Sequence, residues 1–151
     1  LWNKTSGVDQ VINCLENMSE SDMAVLGFMD IDNFKSVNDT YGHETGVFWI
    51  REVATALQEM CGPSDIACRY GGDEYILFLQ NIGDREELTA RIEGFRKKIH
   101  DKAEEKGQDV HCSIGLYRVK GAGRKLAECI MISDGLLYQA KKNGKDTYVI
   151  E

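Results

Sequence analysis

Apolar residues recur along this chain with two different spacings. Runs that are apolar at almost every position, such as 23–31, are typical of strands buried on both faces of a sheet. Stretches with an apolar residue at every third or fourth position are typical of amphipathic helices. The helical spacing predicts helices over 8–18, 43–60, 86–106 and 125–142. The strand-like runs predict strands over 23–31, 66–70, 73–79, 110–117 and 147–150.

The segment between the first strand and the second helix is polar, and we expect it to be a loop that ends at Gly42. Pro63, the only proline of the chain, ends the helix that follows. The predicted inward stripe of that helix consists of Val47, Ile50, Ala54, Leu57 and Cys61.

The pair Gly71-Gly72 lies between two strand-like runs and predicts a tight hairpin, because paired glycines accept the positive φ angles of primed turns. Strands joined by so short a turn must be antiparallel, so the βαββαβ order does not fit a wholly parallel, doubly wound sheet. The expected fold class is α+β, with a central mixed, largely antiparallel sheet flanked by helices.

Length, composition and charge favour a single globular domain and argue against nucleic-acid binding. The 151 residues, with 42% hydrophobic and 28% charged positions, fit a single domain with a full core. The net charge of -7 argues against nucleic acid as a partner, so any phosphate site must be a local basic pocket. The five cysteines are odd in number and form no CxxC pair, which predicts free thiols and a cytoplasmic domain. No apolar run approaches the ~20 residues that cross a bilayer.

Carboxylates stand where two of the predicted strands meet loops. Asp30 and Asp32 share one face at the end of the first strand, and Asp73 opens the strand after the glycine turn. Two or three converging carboxylates would suit Mg²⁺, a hard cation that completes its shell with water and phosphate oxygens. The plainer alternative is that Asp30 and Asp32 cap a local turn and that Asp73 and Glu74 are ordinary turn residues.

Two acidic segments together carry a family pattern. They are Asp30-Ile31-Asp32-Asn33-Phe34-Lys35-Ser36-Val37-Asn38-Asp39-Thr40-Tyr41-Gly42-His43 and Arg69-Tyr70-Gly71-Gly72-Asp73-Glu74-Tyr75. With this pair the chain resembles the GGDEF family of diguanylate cyclases over nearly its whole length. The resemblance implies a mixed sheet ringed by helices, similar to the palm of nucleotidyl cyclases and polymerases.

The first residues, Leu1-Trp2-Asn3-Lys4, match the interior of the family's opening motif, DxLTGLxNR, with Lys4 where arginine is usual. We therefore expect residues 1–151 to form a single GGDEF-like domain of a longer protein. In this family the preceding region is usually a sensory or membrane-attached one.

Carried over position by position, the resemblance implies a site for Mg²⁺, or for Mn²⁺, made by the carboxylates of Asp30 and Asp73 and the carbonyl of Ile31. It implies that Asp73 accepts the proton of the attacking 3′-hydroxyl, and it adds Glu74 and Lys35 as catalytic positions. The implied substrate-binding positions are Asn33, Phe34, Asn38, Val47, Arg69, Gly71, Gly72, Lys141 and Lys145.

The reaction implied by the resemblance joins two GTP molecules into cyclic di-GMP and releases pyrophosphate. Each subunit of a homodimer holds one GTP, and the two active-site faces meet. Cationic side chains suit such chemistry, because phosphoryl transfer is accelerated mainly by positioning and by neutralising charge on phosphate oxygens.

Besides Lys4, three positions depart from the family pattern. Val47 stands where an aspartate reads guanine, and a valine cannot accept the hydrogen bonds that guanine N1 and N2 offer. Lys145 replaces an arginine. A guanidinium group can bind a phosphate through two parallel hydrogen bonds, whereas the lysine ammonium group acts as a single point charge. In the RxxD motif of the inhibitory product site, Asp65 is retained but Gly62 stands in the arginine position, so we expect no product inhibition there.

Three functions remain open at this point. The first is an active cyclase with weakened or altered base selectivity, and the second is a GTP-binding regulatory module without catalysis. The third is an interaction domain in which Phe48-Trp49 would face a partner, although aromatic residues at such spacing are usually core. The histidines His43, His100 and His111 show no metal-ligand spacing and need no catalytic role.

Overall fold

The computed structural model describes all residues, 1–151. The helices are α1 (Lys4–Glu16), α2 (Phe34–Tyr41), α3 (His43–Met60), α4 (Arg85–Lys106) and α5 (Leu126–Lys142). The strands are β1 (Met23–Ile31), β2 (Ile66–Arg69), β3 (Glu74–Gln80), β4 (Cys112–Lys120) and β5 (Tyr148–Ile150). No helix is both long enough and apolar enough to span a membrane.

The five strands form one mixed sheet in the order β2-β3-β1-β4-β5. Strand β1 lies in the middle and pairs antiparallel with β3 and with β4, and β2 pairs antiparallel with β3. Only the pairing of β4 with β5 is parallel. The predicted α+β class with a mixed, largely antiparallel sheet is therefore confirmed.

The sheet is covered on both faces, which explains why β1 is apolar at nearly every position. Val25 and Met29 of β1 face a core formed largely with α3 and α4. The alternate residues Leu26 and Phe28 face a second core formed largely with α1 and α5. Because successive strand residues point to opposite faces, a central strand between two helical layers has no solvent-facing side.

The polar segment before Gly42 is a helix, α2, and the prediction of a loop there was wrong. Only Val37 of this helix is buried, so its sequence shows no apolar stripe of ordinary width. Gly42 separates α2 from α3 with a φ of 96°, a value that favours glycine. Helix α1 also begins earlier than predicted, where the side chain of Asn3 accepts the backbone N–H of Ser6 at 2.9 Å.

The hairpin between β2 and β3 is antiparallel as predicted, but its turn is of a different kind. The strands end at Arg69 and resume at Glu74, and neither Gly71 nor Gly72 has a positive φ. An added Cβ at Gly71 would meet only the carboxylate end of the flexible Glu74 side chain, which can move aside. The argument from primed-turn geometry was therefore wrong.

The buried face of α3 is displaced from the predicted stripe. Its buried residues are Gly46, Trp49, Val53, Ala56 and Leu57. Trp49 is fully buried, and its indole N–H donates to Gln108 Oε1 at 2.7 Å. A partner-facing role for Trp49 is therefore excluded, while the adjacent Phe48 is half-buried against it.

All five cysteines are free thiols, in agreement with the prediction. Cys68, Cys112 and Cys129 are buried, and Cys14 and Cys61 are half-buried. Burial raises the pKa of the Cys61 and Cys68 thiols to about 11, so both stay protonated and unreactive at neutral pH.

Candidate functional site

The end of β1 and the turn of the β2–β3 hairpin lie side by side. Asp30 is paired in register with Glu74, and the backbone N–H of Ile31 donates to the carbonyl of Asp73 at 3.2 Å. The antiparallel pairing of β1 with β3 thus brings the two acidic segments together at one edge of the sheet. Acids that are distant in sequence become neighbours through strand register.

Asp30 is buried and only partly satisfied. One carboxylate oxygen, Oδ2, accepts a hydrogen bond from the Lys141 ammonium group. The other, Oδ1, is buried and has no hydrogen-bond partner. Burial raises the pKa of Asp30 to about 6, an increase that Lys141 opposes and the nearby Asp73 and Asp32 add to. At neutral pH the carboxylate is ionised, with one oxygen available to a further positive group.

Asp73 lies on the hairpin turn beside Asp30. Burial raises the pKa of its carboxyl group, while its own backbone N–H and the charges of Lys141 and Arg69 lower it. Lys141 faces both acids, and its pKa is raised, because its hydrogen bond and attraction to Asp30 outweigh its partial burial. The edge of the sheet therefore holds two crowded carboxylates and one ammonium group.

A cleft of about 490 Å³ opens over these groups. It is lined by Asp30, Ile31, Asn33, Phe34, Lys35, Asn38, Asp73, Lys141 and Lys145. Lys35 comes from the first turn of α2, Lys141 from the last turn of α5, and Lys145 from the segment after α5. The Lys145 ammonium group donates to Asn33 Oδ1 at 2.7 Å. Nine of the sequence-predicted site residues therefore surround one cavity.

Asn38 lines the cleft from α2, close to where that helix contacts α3. The amide oxygen of Asn38 is buried without a hydrogen-bond partner. It lies against Gly46, where an added Cβ would come within 2.8 Å of Asn38 Cγ and 3.2 Å of the Phe34 ring. Val47 is half-buried in α3 and is not among the residues that line the cleft.

The other sequence-predicted positions lie in or next to the hairpin turn and do not line the cleft. The Arg69 guanidinium donates to the carbonyls of Gly71 at 3.1 Å and of Gly72 at 2.6 Å and 3.0 Å. These contacts hold the turn itself. Glu74, the first residue of β3, extends its carboxylate over Gly71. In this structure Arg69 acts on the shape of the loop that carries Asp73.

Asp32 does not join Asp30 and Asp73 at a shared cation site. Its carboxylate accepts from His111 Nδ1 at 2.6 Å, Ser113 Oγ at 2.6 Å and the Asp146 backbone N–H at 2.9 Å. Burial alone would raise the pKa of Asp32, but these hydrogen bonds and the His111 charge lower it overall. Of the two or three carboxylates that were expected to converge, Asp30 and Asp73 lie together, whereas Asp32 is engaged by β4 and the segment that leads into it, and by the turn after α5.

His111, Ser113 and Asp146 were missed as a group by sequence reasoning. His111 lies just before β4, and its pKa is raised by the hydrogen bond to Asp32, despite partial burial. The only available signal was the period-two spacing of Asp30 and Asp32, which places them on one face. The identity of the facing residue depends on the register that pairs Asp30 with Ser113.

Asp65, the retained residue of the RxxD motif, makes contacts within the domain. Asp65 accepts the backbone N–H of Gly62 at 2.8 Å and of Gln80 at 2.8 Å, and it pairs with Arg91 at 2.7 Å. Its side chain is only 3% exposed. The carboxylate is thus fully engaged in joining the β2 edge to α4.

Known proteins share the sequence pattern of this chain. The family profile described as "Diguanylate cyclase, GGDEF domain" matches residues 1–147. Diguanylate cyclase DosC of Escherichia coli (strain K12) is 35% identical over 133 residues, which are 86% of this chain and 28% of DosC. Diguanylate cyclase A of Treponema denticola is 34% identical over 121 residues, 78% of this chain and 32% of that protein. The chain spans about a third or less of these relatives.

Solved structures show the same architecture. The GGDEF domain of DgcB from Caulobacter crescentus, in complex with c-di-GMP, superposes with a TM-score of 0.86 at 26% identity, covering 99% of this chain and 91% of that one. The active GGEEF domain of a diguanylate cyclase from Vibrio cholerae gives 0.74 at 28% identity, covering 85% and 83%. The fold, the acidic edge of its sheet and the match over residues 1–147 together show that this chain belongs to the GGDEF domain family of diguanylate cyclases.

Proposed function

We propose that this domain is a diguanylate cyclase that joins two GTP molecules into cyclic di-GMP and releases pyrophosphate, with Mg²⁺ and as a homodimer. The observation that carries the proposal is the pair of neighbouring carboxylates, the buried Asp30 and the half-buried Asp73, in a cleft that is also lined by three lysines. Acids and bases in such proximity suit a triphosphate with its counter-cation.

The residues present fit a divalent cation. Asp30 Oδ1 is buried and unpaired, which is costly unless a positive group completes it. Asp30, Asp73 and the carbonyl of Ile31 would hold the ion, and hard oxygen ligands of this kind are those that Mg²⁺ takes. When bound, the cation offsets negative charge on the phosphate oxygens. Mn²⁺ has the same preference for oxygen ligands.

The lysines bind and orient the triphosphate. Lys35 approaches from α2, and Lys141 and Lys145 approach from the end of α5. Each ammonium group lowers the energy of the charge that moves onto the leaving pyrophosphate. Because Lys141 also pairs with Asp30, it links the position of the triphosphate to that of the acidic edge.

Asp73 acts as the proton acceptor. Burial raises the pKa of its carboxyl group, which makes it a better base than an exposed aspartate. As the 3′-oxygen of one nucleotide attacks the α-phosphorus of the other, its proton passes to Asp73 and pyrophosphate leaves. The bond between phosphorus and the bridging oxygen breaks as the new ester forms. Two such transfers close the ring.

The cleft of about 490 Å³ is of the size that accommodates one ligand of nucleotide dimensions. A reaction between two nucleotides therefore needs two domains with their clefts facing each other. The unpaired amide oxygen of Asn38 would accept a hydrogen bond from an amino group of the base. Val47 offers no second acceptor beside it, so base selectivity rests on Asn38 and on contacts that form with the nucleotide.

A second candidate function is favoured by Val47 alone, namely GTP binding without turnover in a regulatory module. Binding without pyrophosphate release would select this alternative. The interaction-domain hypothesis has lost its main support, since Trp49 is fully buried.

The test is product analysis by mass spectrometry after concentrated domain is incubated with Mg²⁺ and GTP, ATP or both. We expect cyclic di-GMP from the parent, none after chelation of the metal and none from Asp73→Asn. Asp9→Asn, which removes an exposed carboxylate from α1, is the matched control and should leave the product unchanged. An Asp73→Asn variant as active as the parent would contradict the assignment, and an inactive parent that binds GTP would select the regulatory alternative.

A further inference from the structure

The segment after α5 contains two consecutive residues in the left-handed region of the backbone. Lys145 has a φ of 64° and Asp146 a φ of 48°. L-residues rarely adopt this conformation, so it persists only where surrounding contacts hold it. Lys145 also lines the cleft. Contacts that hold this turn therefore decide where the Lys145 ammonium group lies.

Three residues from two parts of the fold, the end of β1 and α4, hold the turn, and all of them contact Asp146. Its backbone N–H donates to Asp32 Oδ2 at 2.9 Å, just beyond β1. Its carbonyl accepts from Arg96 Nη2 of α4 at 2.5 Å. Its carboxylate Oδ1 lies 2.6 Å from His100 Nε2, one turn further along α4, and 3.4 Å from Arg96 Nη2. Asp146 thus joins the sheet, α4 and the Lys145 segment.

Asp32 is itself rigidly placed. His111 Nδ1 and Ser113 Oγ, from the β4 segment, each donate to it at 2.6 Å. The Asp32 carboxylate is thereby turned away from the cleft and towards the Lys145–Asp146 turn. Its side chain is fully buried, so it provides a fixed anchor for the Asp146 N–H.

We propose that Asp146 is the positioning residue for Lys145, holding its ammonium group at the rim of the cleft where a nucleotide triphosphate binds. This inference rests on the proposed function. Lys145 Nζ is already directed to that rim, where it donates to Asn33 Oδ1 at 2.7 Å. A lysine has a flexible stem and lacks the planar fork of arginine, so its direction depends on where its backbone is fixed. Fixing the backbone in advance lowers the entropic cost of ligand binding.

The experiment is a double-mutant cycle on the affinity for a non-hydrolysable GTP analogue with Mg²⁺, measured by calorimetry on the whole domain. The variants are Asp146→Gly, Lys145→Gln and the two combined. Glycine accepts the left-handed backbone, so the first variant removes the carboxylate without adding strain. We expect Asp146→Gly to weaken binding about threefold to tenfold and Lys145→Gln about tenfold. In the combined variant, Asp146→Gly should add almost nothing to the effect of Lys145→Gln.

Two further variants separate positioning from general stability. Asp146→Asn tolerates the same backbone and keeps an oxygen facing Arg96 and His100, so it should recover most of the affinity lost in Asp146→Gly. Lys142→Gln makes the same charge change as Lys145→Gln on a side chain that lies over the Tyr138 ring, outside the cleft, and should leave the affinity unchanged. In turnover assays Asp146→Gly should raise KM more than it lowers kcat.

The outcomes are distinguishable. If the parent binds the analogue and the two substitutions multiply, Asp146 does not act through Lys145 and the inference is overturned while the proposed function stands. The inference also fails if Asp146→Gly binds as tightly as the parent, or if Asp146→Asn is as weak as Asp146→Gly. A parent that binds no nucleotide at all overturns both the proposed function and this inference.

Discussion

The amide oxygen of Asn38 occupies the space in which a side chain on Gly46 would begin. An added Cβ at position 46 would overlap that oxygen and lie 2.8 Å from Asn38 Cγ. The close approach of α3 to α2 therefore depends on a residue without a side chain. It also leaves room for the Asn38 amide, which lines the cleft from α2.

Gly46→Ala should displace Asn38 and weaken GTP binding about tenfold, because the amide can no longer reach the base. Calorimetric titration with a GTP analogue measures the effect. Gly94→Ala is the matched control, since that helical glycine is exposed and has open space around its Cβ position. The control should bind normally and be more stable by about 0.5–1 kcal/mol. Unchanged binding by Gly46→Ala would show that Asn38 does not contact the base.

Val47→Asp should increase the preference for GTP over ATP about tenfold, because a carboxylate accepts the N1 and N2 hydrogen bonds that are otherwise unpaired at a cost of about 1–3 kcal/mol. Competition between the two nucleotides is the measurement, with Val47→Thr as the control of similar shape. Equal gains in affinity for GTP and for ATP would show that residue 47 does not contact the base.

Asp30→Asn should stabilise the metal-free domain above pH 6, because burial disfavours the ionised carboxylate in the folded state. The sign follows from a pKa raised from 3.8 to about 6. As pH rises through this interval the unfolded chain releases its proton before the folded one does, so the parent loses stability. The gain in the free energy of unfolding should be about 1–3 kcal/mol at pH 7–8 and vanish below pH 4.

Chemical denaturation at several pH values, in buffer with a chelator, measures this gain. Asp9→Asn, an exposed change of the same kind, should show no such pH-dependent difference. The same Asp30→Asn protein should lose cyclase activity, which would make the carboxylate costly for stability and required for function. A variant less stable than the parent at pH 8 would refute the prediction.

His111→Gln should destabilise the domain most below pH 6.5. The pKa of His111 is raised by its hydrogen bond to Asp32, so the stabilisation is fully present below the usual value of 6.5 and is lost as pH rises through the higher folded value. A hydrogen bond between charged groups contributes about 1.5–3 kcal/mol, part of which a neutral glutamine donor retains. His43→Gln, at an exposed histidine, is the control for unfolding curves recorded from pH 5 to pH 9. A constant difference between parent and His111→Gln across that range would contradict the prediction.

Cyclic di-GMP should not bind tightly near Gly62 and Asp65. The position that would carry an arginine is a glycine, and Asp65 is already engaged by Arg91 and two backbone N–H groups. Gly62→Arg should therefore gain little affinity by itself, because its carboxylate partner is occupied. Calorimetry with purified cyclic di-GMP tests both proteins. Sub-micromolar binding by the parent would overturn the expectation.

Much of the fold could be predicted from local patterns. The continuous apolar run of β1 shows that both faces are buried, and the alternation around Gly71-Gly72 shows an antiparallel hairpin. Helix α2 escaped prediction because a helix with a single buried residue, Val37, has no detectable stripe. The stripe of α3 was misplaced because half-buried positions such as Val47 and Ile50 are as apolar as the buried Trp49 and Val53.

The candidate site, like the fold, was predicted only in part from local patterns. The charged residues at the ends of elements, including Asp30, Asp73 and Lys141, could be recognised from local patterns in the chain. The contacts of Asp32 with His111 and with the Asp146 backbone N–H follow only from the tertiary structure. Periodicity reports burial within one element, whereas a contact between residues 79 or 114 positions apart depends on strand order and register.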